Sequence, residues 1–262
     1  MFNQDGYIRV YRRKLNERNK DIKNKEYFLY MKVVYRISDS HNAKIRPPYF
    51  TKKQSFSHFL RIFKNHDVYV FADNIGEDTY NFILNYVDQS KIIRTNLGNS
   101  ASFLNAVDFV LNIFDDSEKV YFAEDDYIYT QDAPMVIEEG LSIADYSSGY
   151  DHPDKYINHN EGGPNPFISE GGEETRCLLT KSRHWKITNS CCMTFATTVK
   201  TVKEDRSLYS KHCGDTYPRD FNLFCDLYAK GRKLVSCIPA VSTHAEIQLM
   251  APLIDWEKEM KN

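Results

Sequence analysis

From Met31 onward, the chain alternates short apolar runs with longer runs that carry one apolar stripe. MKVVYRI (31–37), DVYVFAD (67–73), KIIRT (91–95) and KVYFAE (119–124) are brief and rich in β-branched and aromatic residues, which predicts buried strands. Between them, KKQSFSHFLRIFK (52–64) spaces Phe56, Phe59, Leu60 and Phe63 at i, i+3, i+4 and i+7, the period of a helix. GEDTYNFILNYV (76–87) and SASFLNAVDFVLNIF (100–114) are helical by the same pattern. Parallel strands need right-handed crossovers, so this order predicts an open α/β fold: a mostly parallel central sheet with helices on both faces.

After residue 145 the pattern changes. Residues 151–174, DHPDKYINHNEGGPNPFISEGGEE, are rich in Gly, Pro, Asn and acid and predict a long loop of the kind that is functional or mobile. TRCLLTKSRHWKITNSCCMTFAT (175–197) predicts two strands, with the vicinal Cys191 and Cys192 in a strand core. PRDFNLFCDLYAKG (218–231) predicts a helix with Pro218 near its first turn and Gly231 at its end. KLVSCIPAVS (233–242) predicts a last strand running into Thr243 and His244. At the opposite end, RRKLNERNKDIKNKE (12–26) has almost no apolar face and predicts a solvated helix or arm. Residues 1–30 are thus read as a polar extension and 31–262 as a single domain with a variable second half.

Composition narrows the function classes. With 42% hydrophobic and 14% aromatic residues, the chain has the apolar content that a folded protein needs. Thirty-four basic residues against thirty-six acidic ones give −2, so no global field holds a nucleic acid or a membrane surface. No window approaches the roughly 20 apolar residues of a membrane span, and MFNQDGYIRVYRRK lacks a signal-peptide core. The chain therefore reads as cytoplasmic, and without a heptad or large apolar stripe as a monomer or weak dimer. Six cysteines without a C-x-x-C pair or zinc-finger spacing read as reduced thiols.

In an open α/β sheet, ligands bind beyond the carboxyl ends of the strands. VYFAEDDYIYTQDAP (120–134) places Glu124, Asp125 and Asp126 at such an end. Adjacent carboxylates repel one another unless a cation neutralises them, and Mg²⁺ or Mn²⁺ takes one or two carboxylates together with phosphate oxygens. An exposed acidic turn is the alternative. Arg36, Ser38, Asp39, Asp73, Asn74 and the segment Asn96 to Ser100 leave the other predicted strands on the same side. NLGNSASF opens a helix whose first N–H groups suit an anion, although Ser100 also reads as a plain helix cap and Gly98 as a plain turn.

The set VVYRISDS, FADN, NLGNSASF and VYFAEDDY resembles the nucleotide-sugar glycosyltransferases of the GT-A fold, especially family-2-like enzymes and the small viral transferases that build capsid glycans. The resemblance spans residues 31 to about 245, with a donor half at 31–145 and an acceptor half at 146–250. It implies a metal-dependent transfer of a sugar from a nucleoside diphosphate donor, UDP type favoured, to a glycan or other hydroxyl acceptor, with inversion. Glu124-Asp125-Asp126 stands where the family carries its DxD motif, with Glu for the first Asp. Glu124, Asp126 and His244 would hold the Mn²⁺ or Mg²⁺, and Asp125 would contact the donor's ribose or sugar. Arg36 and Ser38 would line the nucleotide pocket, Asp73 with Asn74 beside it would read the base, and Asn99 and Ser100 would lie near the ribose or phosphates. Asp220 occupies the place of the family's general base, with Arg219 where Glu is usual; Asp215 is the second candidate, and either also reads as a helix cap. His152, Tyr156, His159, Trp185 and Asn189 are acceptor-side candidates, Trp185 reading equally well as core. Competing readings are an inactive nucleotide- or sugar-binding relative, a metal-dependent phosphohydrolase, and a sugar nucleotidyltransferase. The last would normally show a Gly-rich loop where this chain has ISDSHNAKIRPP.

Overall fold

The structure is a computed structural model that describes residues 30–40 and 44–261. The arm predicted at 12–26 lies outside the described residues. β1 (Lys32–Ile37), β2 (Asp67–Asp73), β3 (Ile92–Thr95) and β4 (Lys119–Glu124) form where the alternation predicts them. Three helices join them: α1 (Lys52–Ile62), α2 (Glu77–Leu84) and α3 (Asn99–Ile113). Nine strands make one sheet in the order β3-β2-β1-β4-β9-β6-β10-β8-β7, with β6 at Tyr146–Ser148, β7 at Cys177–Leu179, β8 at His184–Thr188, β9 at Phe195–Thr198 and β10 at Leu234–Ile238. Only β9 and β8 run against the other seven, so the sheet is mostly parallel, as predicted.

Strand side chains alternate between two cores, which is why these strands are apolar throughout. Val33, Tyr35 and Ile37 pack with Phe56, Phe59 and Phe63 of the α1 segment. Val34 on the opposite face packs with Phe103, Val107 and Val110 of α3. Phe63 stacks on Phe59 at 4.3 Å and on Tyr121 of β4 at 5.4 Å, so the aromatic stripe of α1 clamps the helix across the central strands.

The second half departs from the prediction in three places. Residues 175–197 make three strands: β7 and β8 pair as a hairpin at the sheet edge, and β9 inserts between β4 and β6. Cys191 and Cys192 lie in the turn before β9, where Cys192 and Met193 take φ of 50° and 56°, a conformation unsuited to a strand. The run 233–242 also divides. Pro239, which has no N–H for a ladder, ends β10, and β11 (Ser242–His244) leaves to pair with β5 (Tyr127–Tyr129) in a separate ribbon.

Three helices escaped the pattern: α4 (Ala133–Gly140), α5 (Val199–His212) and a short one at 256–261. In α5 the polar run KTVKEDRSLYSKH conceals its inward face, because one inward residue is a charge. Asp205 is fully buried and accepts from Tyr146 Oη (2.7 Å), Lys230 Nζ (2.5 Å) and Arg232 Nε (2.9 Å). The remaining helix is α6 (Asp220–Ala229), which Gly231 ends at φ 97°, and the short one at 256–261 is α7 (Trp256–Lys261). Among the described residues, no helix is long and apolar enough to cross a membrane, and all six cysteines are free thiols.

Trp185, a candidate for sugar stacking, is instead a core residue. It is fully buried, and its Nε1 donates to Thr180 Oγ1 at 2.8 Å, so neither ring face is open to a ligand. It also fixes the end of α4. A Cβ at Gly140 would lie 2.8 Å from the Trp185 ring and 2.1 Å from Ser147 Oγ. Gly140→Ala should therefore destabilise the fold by about 1–3 kcal/mol through overpacking, measured as a lower urea midpoint at unchanged slope. An unchanged midpoint would mean that α4 shifts freely against the sheet.

Candidate active site

The parallel register of the two central strands sets Arg36 of β1 opposite Glu124 of β4. Arg36 Nη1 donates to Glu124 Oε1 at 2.8 Å, and Nη2 donates to the carbonyl (2.6 Å) and the Oδ1 (2.7 Å) of Asn99 at the start of α3. One guanidinium thus ties two strands to a helix N-terminus, with its plane over the Phe103 ring. Beyond it opens a cavity of about 310 Å³ at the carboxyl ends of β1, β2 and β4. Arg36, Ser38, Asp73, Asn74, Asn99 and all three acidic residues line it, so most of the donor-side candidates converge.

Each of the three carboxylates has its own cation. Glu124 faces Arg36; Asp125 Oδ2 accepts from Ser38 N (2.9 Å) and meets Lys52 Nζ at 3.0 Å. Asp126 Oδ2 meets Lys44 Nζ and Arg46 Nη2, both at 3.0 Å, and His244 Nε2 at 2.9 Å. His244 arrives there because β11 pairs with β5 in the register His244↔Tyr127. Burial works against charge on Asp126, but His244, Lys44 and Arg46 outweigh it and hold the carboxyl well below the usual range. Burial raises Asp125, with Lys52 opposing. Burial pushes Glu124 up to about 7 against the pull of Arg36.

These contacts bear on the metal expectation. Glu124, Asp126 and His244 were expected to share one ion. Glu124 turns to Arg36, while Lys44 Nζ lies 2.7 Å from His244 Nε2 and 3.0 Å from Asp126, between the other two. Asp126 Oδ1 is buried without a hydrogen-bond partner, so one oxygen remains for a ligand. Among the described residues, no three His, Cys, Asp or Glu side chains gather as a metal-binding set. Among the described residues, these side chains form a cation-compensated carboxylate cluster that does not fit a divalent-ion site.

Several candidates hold structure around the cavity. Asp73 lines it, but its carboxylate accepts from Leu97 N (2.7 Å), Gly98 N (3.0 Å), Thr95 Oγ1 (2.7 Å) and Asn74 Nδ2 (2.6 Å). It moulds the β3–α3 turn, where Gly98 takes φ 85°, and has no free edge for a base. Ser100 is buried outside the cavity lining, and Ser102, two residues further along α3, lines it. Asp220, expected as general base, opens α6 outside the cavity lining. Its two oxygens accept the backbone N–H groups of Cys191 (2.9 Å), Cys192 (3.0 Å) and Met193 (3.1 Å). It holds the left-handed turn that feeds β9. Asp215 is exposed and paired with Arg219, also outside the lining.

The loop at 151–174 is tied down by buried charge. Asp154 meets His152 Nδ1 at 2.8 Å and Lys155 Nζ at 3.3 Å, and Lys155 donates to Asn189 Oδ1 at 2.8 Å. Tyr156 Oη donates to Asp151 (2.6 Å), which also meets Lys186 (2.8 Å), while His159 Nδ1 contacts the Gly163 carbonyl within the loop (2.8 Å). Lys44, Arg46, Lys52, Ser102, Thr216 and Tyr217 were missed at the site. The alternating cations of KIR (44–46) in an otherwise small, polar loop were a visible signal, whereas Lys52 looks like any helix-opening lysine.

Glu124 generates a pH prediction. Its carboxyl lies at about 7 in the folded chain against the ordinary 4.5, so folding takes up a proton between these values. Stability attributable to this group therefore falls as pH rises from 4.5 to about 7 and is level above. Glu124→Gln should be more stable than the parent by about 1–3 kcal/mol near pH 8, the gap closing toward acid, in denaturant titrations across pH. A gap that widens toward acid would contradict this.

No protein-family model and no curated protein matches the sequence. Among solved structures, the inositol-1-phosphate CTP transferase from T. maritima is similar with a TM-score of 0.46 and 13% identity, over 89% of this chain and 96% of that one. The 4-diphosphocytidyl-2C-methyl-D-erythritol synthase from Anaerococcus prevotii is similar with a TM-score of 0.44 and 12% identity, over 80% and 88%. The galactosyltransferase LgtC, in complex with donor and acceptor sugar analogs, gives 0.43 and 9% over 79% and 73%. Likenesses of this degree assign neither activity nor substrate to the chain.

Proposed function

We propose that this protein is a transferase that binds a nucleoside diphosphate sugar, UDP type favoured, and moves the sugar to a hydroxyl of a glycan or similar acceptor. The observation that carries the reading is the cavity at the strand carboxyl ends, where Arg36, Lys44 and Lys52 meet Glu124 to Asp126 beside the start of α3. Such a slot offers cations and helix N–H groups to an anionic leaving group and carboxylates to hydroxyls.

The chemistry is a direct displacement with inversion. An acceptor oxygen attacks the anomeric carbon as the bond to the diphosphate breaks, and negative charge develops on the leaving phosphate. Preorganised cations that face that charge contribute roughly 3–4 kcal/mol each. A base must take the acceptor proton. Asp220 is committed to three backbone N–H groups, so we assign it to positioning. Glu124, raised to about 7 in the cavity wall, has the proton affinity the step requires.

A second reading, a nucleotidyltransferase that makes the sugar donor, is favoured by one feature. Lys44 and Arg46 follow the first strand, where they would face the phosphates of a nucleoside triphosphate.

Under the first reading, a panel of UDP, GDP, CDP and ADP should raise the melting temperature with one nucleotide preferred, and near 100 Kd the gain is about 2.7 kcal/mol. UDP-sugar with a glycan acceptor should release UDP, and Glu124→Gln should slow this by about 10²- to 10⁴-fold while remaining folded. Pyrophosphate release from a nucleoside triphosphate and a sugar phosphate, with no UDP release, would establish the second reading instead.

A further inference from the structure

Resting on the nucleotide reading above, we infer that this site grips the diphosphate of its nucleotide with protein cations alone and needs no divalent ion. The position such an ion would take is filled. Asp126 Oδ2 already has three nitrogens around it, Lys44 Nζ and Arg46 Nη2 at 3.0 Å and His244 Nε2 at 2.9 Å. Lys44 Nζ lies only 2.7 Å from His244, so an ion bridging Asp126 and His244 would have to expel an ammonium and then sit beside it and a guanidinium. The unpartnered Asp126 Oδ1 offers a single oxygen, which does not hold an ion against two neighbouring cations.

The charge count points the same way. Three carboxylates, Glu124, Asp125 and Asp126, are paired with four cations, Arg36, Lys44, Arg46 and Lys52. Asp73 in the same lining is a fourth carboxylate, so acids and cations balance. An acidic cluster recruits a metal when its charge is uncompensated, and each of these three already faces a cation.

The groups left without partners are donors of the kind a phosphoryl oxygen takes. Arg36 is 8% exposed and Ser102 is 1% exposed; both line the cavity, and neither Arg36 Nε nor Ser102 Oγ has a hydrogen-bond partner. Lys44 and Lys52 complete the cradle from the rim. Their side chains are 32% and 30% exposed, open enough to turn from Asp126 and Asp125 to an incoming anion. Binding is then an exchange of partners: two ammonium groups pass from carboxylate to phosphate oxygens, and no water shell has to be stripped from an ion.

The test is isothermal titration of the full chain with UDP, GDP, CDP and ADP, in buffer with EDTA and in buffer with MnCl₂ or MgCl₂. The preferred nucleotide should bind with dissociation constants that agree within about threefold in all three buffers. Lys44→Ala and Lys52→Ala should each weaken binding in EDTA by about tenfold or more, and Lys44→Arg should stay within about threefold of the parent, as loss or retention of a charge-assisted phosphate contact requires. Lys52→Gln, at an exposed helix start, gives the same answer if Lys44→Ala unfolds, and melting curves report folding for every variant. Binding that vanishes in EDTA and returns with Mn²⁺ or Mg²⁺, or alanine variants that bind like the parent, would overturn the inference and leave the nucleotide reading standing. No heat with any nucleotide in any buffer would overturn both.

Discussion

Arg36 and Glu124 occupy the same rung of two neighbouring parallel strands, and their ion pair sits at the carboxyl edge of the central sheet, where the cavity opens. The guanidinium is 8% exposed and reaches Asn99 as well, so one side chain joins β1, β4 and the start of α3. Removing a buried charge from water costs several kcal/mol unless strong, well-directed partners replace the solvent. Those partners exist only if β1, β4 and α3 all end at the same height. The ion pair therefore registers the elements that shape the cavity.

The same requirement extends outward from this pair. Asp126 can stay charged under cover only because β11 leaves the main sheet, pairs with β5 and delivers His244, while Lys44 and Arg46 fold over from the first strand's exit. Each cation in the cluster comes from a different place in the chain from the acid it meets. Any one of these carboxylates left alone in the cavity wall would be driven to take up a proton, as Glu124 partly is. The site and the fold around it are held by one set of charges.

Carboxylates also act as splints at the two turns that shape the wall. Asp73 gathers the N–H groups of Leu97 and Gly98 and fixes the turn into α3. Asp220 gathers three N–H groups in the turn before β9, allowing Cys192 and Met193 to hold positive φ. An ionised carboxylate can accept several hydrogen bonds at once, which makes it the natural partner for N–H groups that a tight turn leaves pointing one way. For a reader of the sequence alone, such an acid cannot be told from a catalytic one.

By itself the sequence determined β1 to β4, α1 to α3 and the sheet edge at which the cavity opens. β-branched and aromatic runs such as DVYVFAD are buried on both faces, and stripes such as Phe56, Phe59, Leu60 and Phe63 have one face to bury, so periodicity was enough to order β1 to β4 and α1 to α3. The acidic triplet at the end of β4 then marked the edge where the cavity opens, because strand direction follows from the crossovers. Parts of the second half were hidden because their inward faces include charges, Asp205 in α5 and Lys155 and Lys186 around the 151–174 loop, and a buried ion pair has the composition of a surface. The partners of each acid were decided by tertiary structure alone. Asp126 meets Lys44 and His244 across 82 and 118 residues, and Asp220 meets three backbone groups that carry no residue identity. Local sequence records which groups can ionise, and only the assembled sheet decides which charge each one faces.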